Sequence, residues 1–171
     1  MNIHQIDWQQ SFTRQILKAV DDGLQAVAAN CQDGLDQAEH SEELAGIGFV
    51  ALQRYVVSAD VSFRLAFDTV SEMDHELRGG DCPSIHGVSI VEAIWASANY
   101  WKHHEAWPDW EPVGPRKHTI RTLAALGVSR ETEFPCLMLL KRLSGDCSNA
   151  LSTLLDAASG WREAVFRRLH C

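Results

Sequence analysis

Residues 41–78 read SEELAGIGFVALQRYVVSADVSFRLAFDTVSEMDHELR, and apolar side chains recur through them every three to four positions. Leu44, Ile47, Ala51, Leu52, Tyr55, Ala59, Phe63, Ala66, Phe67, Val70, Met73 and Leu77 make one stripe. That is the period of an amphipathic helix, whereas a half-buried strand alternates every second residue. Tyr55-Val56-Val57 is the one run that suits a strand, and the helical spacing passes through it unbroken. Ser41-Glu42-Glu43 supplies a helix start, and Gly79-Gly80-Asp81-Cys82-Pro83 a stop, with a kink expected near Ser58–Asp60. A helix of this length is the spine of an all-α fold.

The neighbouring segments carry the same period. Upstream, Trp8, Phe12, Ile16, Val20 and Leu24, joined by Leu17 and Val27, predict a helix from about Asp7 to Ala29. Asn30–His40 is polar and reads as a loop. Downstream, a third helix is expected from Val88 to about Ala106, followed by an ordered Trp/Pro loop over Trp107–Pro115. Arg116–Leu126 forms a short helix that Gly127 ends, and Pro135 opens another through Leu143 that Gly145 ends. Asp146 is placed to cap a last helix striped by Leu151, Leu154, Ala158, Trp161, Val165 and Leu169. The expectation is a single all-α domain over residues 1–171, a bundle of five to seven helices with the third central, and no strand.

The chain has 171 residues, 46% hydrophobic and 22% charged, which suffices for one domain with a real core. Net charge is −8 and uneven: residues 1–111 hold 6 Lys/Arg against 18 Asp/Glu, residues 112–171 hold 9 against 5. An acidic chain does not bind long duplexes nonspecifically, because that affinity comes from neutralising many phosphates. A basic carboxy-terminal third leaves room for a short RNA or a nucleotide. Cys31, Cys82, Cys136, Cys147 and Cys171 are widely spaced, which fits free thiols, with Cys136 in the core, and suits neither zinc nor a disulfide framework. Gly46-Ile47-Gly48 is too short to cradle a phosphate, and no Gly-x-Ser-x-Gly elbow occurs. No cofactor is expected. The polar start MNIHQIDWQQ and the lack of a roughly 20-residue apolar run predict a cytoplasmic protein with no membrane partner.

Chemistry concentrates on the third helix, VSIVEAIWASANYWKHH, which is apolar on most sides. Glu92, Asn99 and His103 are spaced by seven and four, which sets them on one line, with Lys102 and His104 beside it. A functional reading makes His103 a proton carrier near neutral pH, Asn99 its orienter or a phosphate contact, and Lys102 a charge balance. Glu92 would anchor Asn99. A structural reading makes Glu92 and Asn99 parts of interhelical networks and His103 a partly exposed helix-end residue.

Asn99-Tyr100-Trp101-Lys102-His103 resembles the core helix of the HEPN superfamily, whose pattern is an Arg, four to six residues, then a His, often with Asn after the Arg. Asn99 and His103 match an Asn-x-x-x-His version, and Glu92 resembles the acidic residue earlier on that helix. The windows before His103 and His104 hold Ala96, Ser97, Ala98 and Asn99 and no Arg, so Arg64 on another helix becomes a candidate substitute. The resemblance implies a helical domain acting as a metal-independent ribonuclease or RNA-binding effector. It also implies a homodimer with two His-bearing helices facing across a cleft, and roles in stress response or phage defence. A noncatalytic module that binds a protein partner is the alternative.

Other constellations compete. Glu72-Met73-Asp74-His75 contains one Glu-x-x-His, where di-iron bundles use two, and His103 and His104 could join His75 in a mononuclear site; no metal is the favoured expectation. Trp95, Trp101, Trp107 and Trp110 suit packing better than base stacking. Arg116, Lys117, His118 and Arg121 form the best candidate phosphate contact at a helix start. Arg162, Arg167 and Arg168 are expected to complement their own helix's carboxy-terminal dipole.

Overall fold

A computed structural model describes residues 7–67, 83–107, 109–145 and 149–170. Among these are six α-helices: α1 (Asp7–Asn30), α2 (Gly34–Phe67), α3 (Ile90–His103), α4 (Lys117–Ala125), α5 (Pro135–Ser144) and α6 (Ala150–His170). The fold is all-α, as the periodicity predicts. The α2 stripe beyond Phe67, the Glu72/His75 pair, the stop at Gly79–Cys82 and the Asp146 cap fall outside the described residues.

The second helix begins earlier than its apolar pattern. Asp33 accepts the backbone N–H groups of Leu35 (2.7 Å) and Asp36 (3.4 Å), so Gly34–His40, expected as loop, form the exposed first turns of α2. A cap decided that boundary, and hydropathy had no say in it. The third helix begins later. Ser84–Ile85 (β1) and Val88–Ser89 (β2) pair antiparallel around His86 and Gly87, both at positive φ. This is the two-residue turn that matches strand twist, and it corrects the expectation of no strand.

Stripe direction on α1 also needs correction. Leu17 and Val20 are buried, but Phe12 is 58% and Ile16 37% exposed, while Thr13 and Asp21 face inward. A four-residue step overshoots one turn by about 40°, so a line drawn in such steps leaves the core-facing side. Asp21 is inside because it works there. Its carboxylate accepts the backbone N–H groups of Leu151 (3.0 Å) and Ser152 (3.1 Å) and the Ser152 hydroxyl (2.8 Å), capping α6 from α1. Glu42 of α2 does the same for α5, accepting from Cys136 N (2.9 Å) and Leu137 N (2.7 Å). Burial outweighs these bonds and pushes the Glu42 carboxyl above its ordinary value. Arg142 of α5 in turn donates to the carbonyl of Leu126, the residue that caps the carboxy-terminal end of α4.

Gly46 and Gly48 are packing positions. A Cβ at Gly46 would lie 2.1 Å from Trp101 Cδ2, and one at Gly48 2.4 Å from Leu151 Cδ1. The two glycines seat α3 and α6 against successive faces of α2. Both α2 and α3 touch four other helices, so α3 shares the centre with α2. An 18-residue window within Gly34–Leu65 reaches a mean hydropathy of 1.3, apolar enough to cross a membrane, and 61% of it is buried inside the bundle. Its place between α1, α3, α5 and α6 accounts for that apolarity. Trp161, Tyr55 and Phe49 fill the middle, with Tyr55 Oη 3.2 Å from Ser159 Oγ. Arg162 is not at the helix end's dipole: it is 3% exposed, with its guanidinium 5.8 Å from the Tyr55 ring centroid. Cys136 is buried in the core, as expected.

Candidate functional site

The polar line on α3 separates into two parts. Glu92 belongs to the helix start: Ser89 Oγ accepts the Glu92 N–H (3.1 Å) and Glu92 Oε2 accepts the Ser89 N–H (3.4 Å). This capping box, two turns from Asn99, is a structural role and corrects the anchoring one. The last turns of α3 carry the rest.

Asn99, half-buried, and His103, exposed, line a cleft of about 420 Å³ with Ala106, Trp107, Pro115, Arg116 and Thr119. A tight turn at His104–Ala106 bends the chain away from α3, and a second at Gly114–Arg116 returns it into α4. Those turns bring Arg116 opposite the end of α3. Its guanidinium is held by Nε–H donating to Glu111 O (3.0 Å) and Nη2 to Asp109 Oδ1 (2.5 Å). Arg64, the candidate substitute from sequence, pairs instead with Asp60 on its own helix. Lys117 and Arg121 are exposed and do not line the cleft, and His118 lies 3.4 Å from Thr122 Oγ1 on α4. Of the basic cluster only Arg116 faces the site.

Lys102 turns from the cleft to α2, donating to Gln53 Oε1 (2.7 Å), and Gln53 Nε2 donates to Asn99 Oδ1 (2.9 Å). Partial burial lowers the Lys102 ammonium below its ordinary range. Sequence reading missed Gln53, although a lone amide on the buried face of an apolar helix is a visible signal.

The two adjacent histidines differ. His104 stacks on Tyr100 at 4.6 Å, with Nδ1 3.2 Å from the carbonyls of Tyr100 and Trp101. Its role is structural. His103 makes no hydrogen bond among the described residues. Tyr100, Trp107 and Trp110 form one edge-to-face aromatic cluster, and burial raises the Tyr100 hydroxyl to about 12. Trp95 and Trp101 are half-buried against the core. Among the described residues no three His, Cys, Asp or Glu could hold a metal ion; Glu72 and His75 lie outside them.

A second cavity, about 410 Å³, opens where α1, α2 and α5 meet, walled by Leu24, Ala28, Ala38, Leu137 and Leu140 with Lys141 on its lining. Its carboxylate, Asp21, is already spent on α6. In the cleft at Asn99 and His103, an amide, an imidazole and a guanidinium share one opening. Compared with family models, curated proteins and solved structures, the chain matches none.

Proposed function

We propose that this chain is a HEPN-like, metal-independent endoribonuclease domain that binds an RNA phosphodiester in the cleft of Asn99, His103 and Arg116. The observation that carries the reading is Arg116. The third helix lacks the arginine its resemblance calls for, and the turn before α4 brings one to the same cleft. A fixed guanidinium there offsets the charge that develops on phosphorus.

In the proposed reaction the RNA 2′-oxygen bonds to its neighbouring phosphorus and the P–O5′ bond breaks. One imidazole takes the 2′-hydroxyl proton and a second, protonated, gives its proton to the departing 5′-oxygen. The products are a 2′,3′-cyclic phosphate and a 5′-hydroxyl. His103 is the proton carrier on this chain, and His103 of the partner subunit supplies the complement in a homodimer. A bacterial cytoplasmic setting in stress response or phage defence accompanies this reading.

Exposed apolar side chains favour a second reading, a protein-interaction module. Phe12 and Ile16 on α1, and Val61 and Leu65 on α2, are exposed by 58%, 37%, 47% and 81%. Gly23 packs at Leu44 and Gly46 at Trp101, so this end of the α1–α2 hairpin lies away from His103. A dimer through those side chains would keep the two clefts apart.

The test is cleavage of single-stranded RNA with excess chelator by wild type, His103→Ala and Asn99→Ala. Lost cleavage by the variants, with the melting temperature of His103→Ala unchanged, supports the nuclease. Inactive wild type overturns it and leaves the interaction module.

A further inference from the structure

We infer that Lys102 and Gln53 act as a polarity relay that fixes the Asn99 amide with its Nδ2–H₂ group toward the cleft, making the cleft a receptor for a tetrahedral oxyanion. The inference deepens the RNA reading and rests on it for the source of that anion, a phosphodiester.

The relay follows from what each group can donate. An ammonium has donors only, so the Gln53 atom 2.7 Å from Lys102 Nζ must be the oxygen. The other end of that amide is then Nε2, and it faces two acceptors, Asn99 Oδ1 at 2.9 Å and the Trp95 carbonyl at 3.5 Å. A backbone carbonyl can only accept, so Trp95 enforces the same orientation independently. Gln53 is 7% exposed, so solvent has little access to its amide. Asn99 must therefore turn its oxygen to α2. Its Nδ2, which has no partner among the described residues, is left for the cleft.

The other groups around the cleft agree in sign. Arg116 has Nε and Nη2 committed and Nη1 without a partner among the described residues. Thr119, 4% exposed and lining the cleft, has a hydroxyl with no hydrogen bond among them either. An amide N–H₂, a guanidinium N–H and a hydroxyl thus face one space beside His103. Gln53 and Lys102 are positioning residues, since neither lines the cleft.

The experiment titrates inorganic phosphate into the ¹⁵N-labelled full chain and follows the Asn99 side-chain amide resonances. Saturable shifts of that N–H₂ pair, together with the Arg116 Nε–H, are expected in wild type. Gln53→Glu keeps the bond to Lys102 but accepts from Asn99, which turns Asn99 Oδ1 to the cleft. Phosphate affinity should fall ~10- to 100-fold, the worth of one hydrogen bond to a charged group. Asn99→Asp, which keeps the acceptor toward Gln53 and puts a carboxylate oxygen in the cleft, should lose affinity at least as far. Wild type that binds no phosphate overturns the inference, as does undiminished binding by a folded Gln53→Glu or, should that variant not fold, by Asn99→Asp. Phosphate binding that obeys the relay without RNA cleavage upholds the inference and refutes the nuclease.

Discussion

Removing the Asp21 carboxylate should detach the start of α6 from α1. Asp21 is 1% exposed and accepts three hydrogen bonds, two from the backbone of α6 and one from a side chain. In Asp21→Ala the Leu151 N–H, which is buried, loses its acceptor among the described residues and water has little access to replace it. An orphaned buried donor costs ~1–3 kcal/mol, and losing a helix cap ~0.5–2 kcal/mol. Because Ser152 is only part-buried and recovers some hydration, the total should be about 3 kcal/mol. For a domain of this size that lowers Tm by roughly 6–12 °C. Asp21→Asn keeps one acceptor oxygen and should lose about half as much. Asp22→Ala is the control, since its bond to Lys18 joins side chains 57% and 70% exposed and contributes at most ~0.5 kcal/mol. Urea melts of the three variants decide. An Asp21→Ala protein within about 0.5 kcal/mol of wild type would refute the capping argument.

At Gly46, alanine gains ~1 kcal/mol of helix propensity but meets the rigid Trp101 ring at 2.1 Å, so a net loss of ~1–3 kcal/mol and altered tryptophan fluorescence are expected. Gly160→Ala, with nothing within 4 Å, should instead stabilise by ~0.5–1 kcal/mol in the same urea melts. Glu42 holds its proton more tightly folded than unfolded, so its contribution is complete below its ordinary value of 4.5 and is lost as pH rises toward the raised folded value. Glu42→Gln lacks that loss; its stability relative to wild type should therefore grow as pH rises through this window, and denaturation midpoints that diverge the other way would contradict the burial argument. Light scattering should give a dimer mass for wild type at micromolar concentration, and a double Phe12→Ser, Leu65→Ser variant should lower it if the exposed apolar end is the interface.

Helix existence was legible because the apolar period persists along each segment, most cleanly in α6, where Leu151, Leu154, Ala158, Trp161 and Val165 all reach the core. Boundaries were less so. Asp33 sets the start of α2 and Ser89 that of α3 through side-chain oxygens, which hydropathy does not register. The positive φ at His86 hid a turn that Gly87 alone only half announced. In the cleft, Asn99 and His103 could be read from one helix, because four residues bring them round to one face. Arg116 was legible as a phosphate candidate, but its meeting with His103 depends on two turns between α3 and α4 that carry no periodicity. Gln53, Asp21 and Glu42 were invisible as partners because each acts on a distant helix. Glu92 misled, since a residue three positions after a capping Ser shares a face with Asn99 by the same arithmetic.

The two long-range caps have a bearing on how the chain acquires its structure. Asp21 waits for a backbone 130 positions later, and Glu42 for one 94 positions later. At about 5–20 residues per second of synthesis, the first interval lasts roughly 6 to 26 s. Until then α1 and α2 can pair, but both carboxylates remain hydrated and the apolar groove meant for α5 and α6 stays open. Such distant contacts also slow the search for the native state once the chain is complete. The excess of acidic residues in the first 111 positions counters the hazard, because like-charged nascent chains repel one another while their sticky faces are bare. The acidity of that half thus protects the protein before it has folded, and the two carboxylates then close the bundle.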